Sequence, residues 1–244
     1  MYQPKIYIGT GYCDENKNEL KQCCEKVNKQ KNVIIEHEIF YTSYIWKDTF
    51  QKMYDTWGTK KQDFDLFIQL DADIVLINDT IVSYMYNLLN GKKSYNQIVF
   101  PLYDFLSDTN LLILNCYKPT VKFNKLTHIH RFDMEYSNYK RFPRKIIDPI
   151  VGTHSGNPTI LTAFHYGWHR QLKTIATPGQ KTILNNVKNS YEKTKNEYRG
   201  HAVAGIKYAT KYMRETKDTS AVGYKNVVFL EHYNNYIKKV QEQK

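Results

Sequence analysis

Phe64-Asp65-Leu66-Phe67-Ile68-Gln69-Leu70-Asp71-Ala72-Asp73-Ile74-Val75-Leu76-Ile77 is the stretch on which the reading of the fold turns. One apolar run ends on two aspartates a single residue apart, and a second apolar run begins at once. Short apolar runs bounded by polar residues read as buried strands, as in a parallel sheet. In a strand or the turn after it, residues i and i+2 project to one side. Asp71 and Asp73 are therefore expected to present their carboxylates together, at the strand end where open α/β sheets bind ligands. Two such carboxylates suit a hard divalent cation. Asp-x-Asp is short and arises by chance, but burying both beside Leu70 and Ile74 is costly unless a cation or donors satisfy them.

Working outward, Lys5–Ile8 reads as a first strand running into a turn, Gly9-Thr10-Gly11-Tyr12. Leu20, Cys23, Cys24 and Val27 mark an amphipathic helix over 17–29. Val33–Phe40 is a second strand. Trp46, Phe50, Met53, Tyr54 and Trp57 share one face of a helix over 46–57, with Gly58 as its C-cap. Alternation of strand and helix up to Leu70 implies right-handed crossovers and a parallel sheet. Beyond the aspartates, Asp79 can cap a helix over 80–90, and Gln97–Leu102 and Leu111–Cys116 are further strands. Segment 118–144 has a weak pattern. Ile146–Val151 reads as a strand leading into Gly152-Thr153-His154-Ser155-Gly156-Asn157-Pro158. A helix starts near Pro158, with Leu161, Phe164, Trp168 and Leu172 as its stripe. After Pro178-Gly179, three more helices are expected over 181–196, 200–213 and 227–241. The fold class is α/β: a mostly parallel central sheet flanked by helices. Residues 1–175 form the binding and catalytic domain, and 176–244 a basic helical extension packed on it.

With 244 residues, 41% hydrophobic and 14% aromatic, the chain has material for a sizeable core. No apolar run reaches the length of a membrane span, and the N-terminus lacks a signal-peptide pattern. Cys13, Cys23, Cys24 and Cys116 have no metal-ligand spacing. A cytoplasmic location is the expectation, so the Asn78-Asp79-Thr80 sequon is discounted. Of the formal +11, about +9 falls in residues 160–244, with 15 Lys+Arg against 6 Asp+Glu. Such a region attracts anionic partners. Its lysines are scattered through amphipathic helices, which argues against nucleic acid and leaves contact with an anionic membrane surface as an expectation.

Three loops are expected at one edge of the sheet: Gly9–Tyr12, Asp71–Asp73 and Gly152–Asn157. The first is not a phosphate loop, because no Gly-Lys-Ser/Thr follows. Together, the opening strand and loop, the amphipathic helices, Leu-Asp-Ala-Asp-Ile-Val at 70–75, and Gly-Thr-His-Ser-Gly at 152–156 followed by Thr-Ala-Phe-His-Tyr-Gly-Trp-His-Arg-Gln-Leu-Lys at 162–173 resemble a GT-A type (Rossmann-like) glycosyltransferase. The chain is similar to small family 2-like glycosyltransferases of bacteria, phages and large viruses, over roughly residues 4–175. The resemblance implies Mn²⁺ or Mg²⁺ held by Asp71 and Asp73, and a UDP- or GDP-sugar as donor. It also implies a carbohydrate or glycoconjugate acceptor. His154 is the match for the histidine that completes such metal sites, and imidazole beside carboxylates suits Mn²⁺. Thr10, Gly11 and Tyr12 would face the nucleotide, and Arg170, with Lys173, the departing diphosphate. His165 and His169 lie one turn apart without a following Glu, so they read as site wall rather than a zinc pair.

Inverting transfer needs a carboxylate base. Asp148 is the first candidate, with Asp104, Asp108, Asp133 and Glu135 behind it. Two rival readings stand. One is a nucleotidyltransferase with paired aspartates, which would carry a cationic Gly-rich loop not found at Gly9–Asp14. The other is a protein binding nucleic acid or another anionic polymer through its basic C-terminal region.

Overall fold

In the computed structural model, which describes residues 2–42, 46–125, 140–145, 148–177 and 179–242, the strand β1 (Lys5–Tyr12) is the centre from which the sheet grows. It pairs in parallel with β2 (Ile34–Tyr41) on one side and β3 (Leu66–Asp71) on the other. β1 and β3 are buried along nearly their whole length, whereas β2 is largely half-exposed at the sheet edge. The crossovers are α1 (Lys17–Asn28) and α2 (Trp46–Lys60). After Asp71 the chain turns into β4 (Ile74–Leu76), then α3 (Ile81–Asn90), β5 (Gln97–Asp104) and β6 (Thr109–Tyr117). Short strands β7 (Arg141–Phe142) and β8 (Gly152–His154) complete a sheet of order β2-β1-β3-β6-β5-β8-β4, with β7 beside β5.

The sheet is mixed, not mostly parallel. β6 runs antiparallel to β3, and β8 runs parallel to β5 but antiparallel to β4. The reason lies in connection length. Only Phe105–Asp108 join β5 to β6, too few residues for a crossover, which takes a dozen or more.

One face of the sheet buries Ile6, Ile8, Leu66, Ile68, Leu70, Ile98, Phe100 and Leu102 with Cys23 and Val27 of α1 and Val82, Met85 and Leu89 of α3. Tyr7, Phe67 and Tyr117 join Phe50, Met53, Tyr54 and Trp57 of α2 in a largely aromatic second core. Gly9 belongs to this packing: a Cβ there would meet the Met53 Cγ at 2.7 Å. Gly9–Tyr12 is therefore not a turn but the last half of β1, paired as far as Tyr12↔Tyr41. Gly58 is likewise no cap. α2 continues to Lys60, and a Cβ on Gly58 would have nothing within 4 Å. Asp79 does not cap α3; Thr80 precedes it, with no side-chain cap. The strand expected at Ile146–Val151 is displaced. Residues 146–147 lie outside the described residues, Asp148–Val151 are not strand, and β8 occupies Gly152–His154. Pro149 removes a ladder donor, and Gly152 lets β8 come close to β4, where a Cβ would stand 2.7 Å from the Val75 carbonyl oxygen.

The chain divides into two compact units: Met1–Asp104 with Asn110–Gly156, and Phe105–Thr109 with Asn157–Lys244. The helix α4 (Ile160–Leu172) thus belongs with α5 (Gln180–Thr194), α6 (Glu197–Thr216) and α7 (Val227–Glu242), so the division falls after Gly156 and not at residue 175. α4 starts on a capping box, Thr159 and Thr162. It touches α6 backbone to backbone: a Cβ on Gly167 would stand 1.9 Å from the Ala202 oxygen, and one on Gly205 2.0 Å from the Phe164 oxygen. Around this seam pack Leu106, Ala163, Leu184, Val187 and Ile206, and a second cluster of Phe164, Trp168, Leu172, Tyr212 and Phe229. Among the described residues, no helix is long and apolar enough to cross a membrane.

Candidate functional site

The carboxyl end of β3 carries Asp71, half-buried and level with Gly11 of β1. The turn after it carries Asp73, also half-buried. β8 ends beside β4 with His154 level with Ile74, and beside β5 with His154 level with Asp104. Register alone therefore brings Asp73, Asp104 and His154 to one place, from three separate parts of the chain.

The His154 ring bridges the two acids. Its Nδ1 lies 2.6 Å from Asp104 Oδ1, and Asp104 is fully buried. Its Nε2 lies 3.4 Å from Asp73 Oδ2, too long for a well-formed hydrogen bond. Ser155 fixes Asp73 from the other side. Its backbone N–H donates to the Asp73 carbonyl oxygen at 3.0 Å and its hydroxyl to Asp73 Oδ2 at 2.7 Å. Ser155 makes both bonds from a left-handed backbone, φ 52°. That conformation is uncommon outside Gly, Asn and Asp, and it is held by its surroundings at sites of this kind.

Beneath this cluster, α1 contributes Glu19, 6% exposed, whose Oε2 is buried without a hydrogen-bond partner. Burial, with the charge of Asp73 second, pushes its carboxyl up to about 7. One helical turn on, burial pushes the Cys23 thiol up to about 12. The Cys23 thiol therefore keeps its proton at neutral pH, while Glu19 stands near the midpoint of its titration. Neither residue was a candidate from sequence, where α1 read only as an amphipathic helix.

The other expected site residues have the following surroundings. Thr10 is fully buried, its hydroxyl 2.8 Å from His37 Nε2. Gly11 is buried in the β1 ladder. Tyr12 is half-buried, edge-on to Tyr41 at 5.3 Å. Asp148 forms an ion pair with Arg144, Nε to Oδ2 3.0 Å, and accepts the Lys145 backbone N–H at 2.7 Å, in the segment entering β8. The structure thus engages Asp148 in an ion pair and a turn. Asp104 stands behind His154 as an orienting group, and Asp108 pairs with Arg199 at 3.2 Å. Asp133 and Glu135 lie outside the described residues. Arg170, in the second unit, rests over the Tyr166 ring and donates to Gln180. His165 is a core histidine: its Nε2 meets the Val222 carbonyl at 2.8 Å, its ring stacks on Tyr224, and burial lowers it to about 4.

Among the described residues, no three His, Cys, Asp or Glu side chains form a ready-made metal cluster. What fits a cation is the pair Asp73 and His154. Their facing atoms are 3.4 Å apart, near the about 3 Å edge between neighbouring ligands of a six-coordinate ion bonded at about 2.1 Å. Asp104 on the far ring nitrogen is the orienting carboxylate that ligating histidines ordinarily have.

No family model and no curated protein matches the sequence. Among solved structures, the chain is similar to the crystal structure of A197 from STIV, with a TM-score of 0.31 and 12% identity, over 47% of this chain. The similar part spans 64% of that protein's length.

Proposed function

We propose that the chain is a metal-dependent glycosyltransferase of GT-A type, moving a sugar from a nucleotide-diphosphate donor to an acceptor hydroxyl. One observation carries this reading. His154 is held through Nδ1 by buried Asp104, which turns its Nε2 toward Asp73. A chain that needed only a buried ion pair would not leave the second nitrogen at 3.4 Å from a half-exposed carboxylate. Asp73 and His154 would hold Mn²⁺ or Mg²⁺, with Asp71 one strand position before the turn. The cation would supply positive charge to the diphosphate as it departs. Ser155 holds the Asp73 carboxylate in place for that task, and Asp104 fixes the imidazole tautomer. Tyr12, at the end of β1, offers a half-buried ring for the donor base. The first unit would bind the donor. Asp148, already paired with Arg144, is not assigned the role of base.

The test is thermal shift with UDP, GDP and their sugars, with and without Mn²⁺, on wild type and Asp73→Ala. A ligand bound only by the native state raises the midpoint by mass action. Mn²⁺-dependent stabilisation by one diphosphate, absent in the variant, is the expected result and names the base. Stabilisation by nucleoside triphosphates alone would favour a nucleotidyltransferase. No response to any of them, with the fold intact, would leave Asp71 and Asp73 as structural residues.

A further inference from the structure

The end of β5 away from Asp104 is chemically the opposite of the candidate site. Asn96, just before β5, gathers three segments there. Its carbonyl accepts from the Lys118 N–H at 2.9 Å, its N–H donates to the Lys140 carbonyl at 3.0 Å, and its side-chain oxygen accepts from the Lys140 N–H at 2.6 Å. β7 then aligns Arg141 with Gln97. These bonds bring Lys92, Lys93, Lys118, Lys140 and Arg141 to one end of the sheet. All but half-buried Lys118 are exposed.

Among the described residues, none of these five cations has a carboxylate within ion-pair distance. The neighbouring acid, Asp148, is taken by Arg144. The C-terminal helices differ. There Lys195 pairs with Glu192, Lys211 with Glu215 and Arg199 with Asp108. So, among the described residues, three of the fifteen Lys and Arg in residues 160–244 are held in ion pairs, while none of the group near β7 is. Holding like charges together costs free energy that a bound polyanion offsets.

We infer that this β5–β7 end of the first unit is a docking surface for an anionic phospholipid membrane. Two features select lipid over nucleic acid. Four of the five cations are lysines, compact hydrated charges suited to a diffuse anionic surface, whereas nucleic-acid recognition favours the arginine fork. The aromatic rings here are already covered: the Lys92 ammonium lies 5.2 Å over Phe142, the Lys140 ammonium 5.7 Å over Tyr95, and the two rings meet edge-on at 5.2 Å. One face of each ring is thereby occupied, which reduces the surface on which a base could stack. A lysine near an anionic leaflet adds attraction by charge alone and asks for no pocket.

The experiment is co-sedimentation of the full chain with phosphatidylcholine vesicles, with and without phosphatidylserine at roughly one lipid in three. Three proteins are compared: wild type, K92E/K93E/K140E, and a C-terminal control of equal charge change, K188E/K238E/K239E, each checked for folding by circular dichroism. Wild type is expected to bind only the anionic vesicles and to be released by salt as screening shortens. The β5–β7 variant should bind about a hundredfold or more weakly, and the control within a few-fold of wild type. Equal loss in both variants would overturn the inference in favour of undirected net charge. Tighter binding of wild type to a single-stranded RNA oligomer than to the vesicles, lost in the same variant, would overturn it in favour of nucleic acid.

Discussion

Glu19 has a carboxyl oxygen with nothing to accept from, sealed under a site that already holds Asp73. Its folded value of about 7 stands above the ordinary 4.5, which fixes a sign. Below pH 4.5 both folded and unfolded chains keep the proton, and nothing is lost. Between 4.5 and 7 the unfolded chain releases it while the fold retains it, so stability falls as pH rises. Above 7 the loss is complete, at roughly 3 kcal/mol. Glu19→Gln is therefore expected to be more stable than wild type by about that much at pH 8 and unchanged at pH 4, measured by urea denaturation. A variant that keeps the wild-type pH slope would show that another group titrates. Asp104 calls for a different measurement. Asp104→Asn keeps the shape but no longer fixes the imidazole with a charge. Mn²⁺-dependent stabilisation should weaken about 10–100-fold. Asp71, Asp73 and His154 stood out in the sequence because a short motif and a Gly-flanked histidine are local signals. The partners of His154 were not legible, because Asp104 reaches it only through β5–β8 register, 50 residues away. Glu19 was hidden for the same reason.

At the scale of elements, one substitution has opposite signs at two helical glycines. Gly58 in α2 has open space where a Cβ would go, so Gly58→Ala should gain about 0.5–1 kcal/mol from backbone entropy. Gly205 in α6 faces the Phe164 carbonyl oxygen at 2.0 Å from a Cβ. Gly205→Ala should lose 3 kcal/mol or more as α4 and α6 are forced apart, at or above the usual range for overpacking. Thermal denaturation of both variants decides the matter, and equal shifts would mean that helix propensity alone governs. Most elements were legible, since apolar runs and helical stripes are properties of the elements themselves. The errors cluster where tertiary approach decides. Gly9 read as a turn because glycine marks turns, yet Met53 is what excludes a side chain there. β8 read as loop because Gly152, which admits it against β4, weakens a strand on propensity. The parallel sheet failed on the short link between β5 and β6, whose two strands were each recognised but not their relative direction.

At the scale of the molecule, Phe105–Thr109, the β5–β6 connection with the first residue of β6, belong with the helices and not with the sheet. Leu106 is buried among Ala163, Leu184, Val187, Ala202 and Ile206. Arg199 donates to the Phe105 carbonyl oxygen at 3.0 Å and pairs with Asp108. A fragment beginning at Asn157 therefore lacks part of its own core. Expressed alone it should show the weak near-ultraviolet circular dichroism of loose packing, whereas the full chain should not; a cooperatively folded fragment would contradict this. Ribosomal synthesis adds an order of events. Phe105 emerges 94 residues before Arg199, so at about 5–20 residues per second the loop waits some 5–20 seconds for its partners. During that interval Phe105 and Leu106 form an apolar tip without cover. A nascent chain stalled before α6 should therefore be held by chaperones at this loop, and one released after α6 should not.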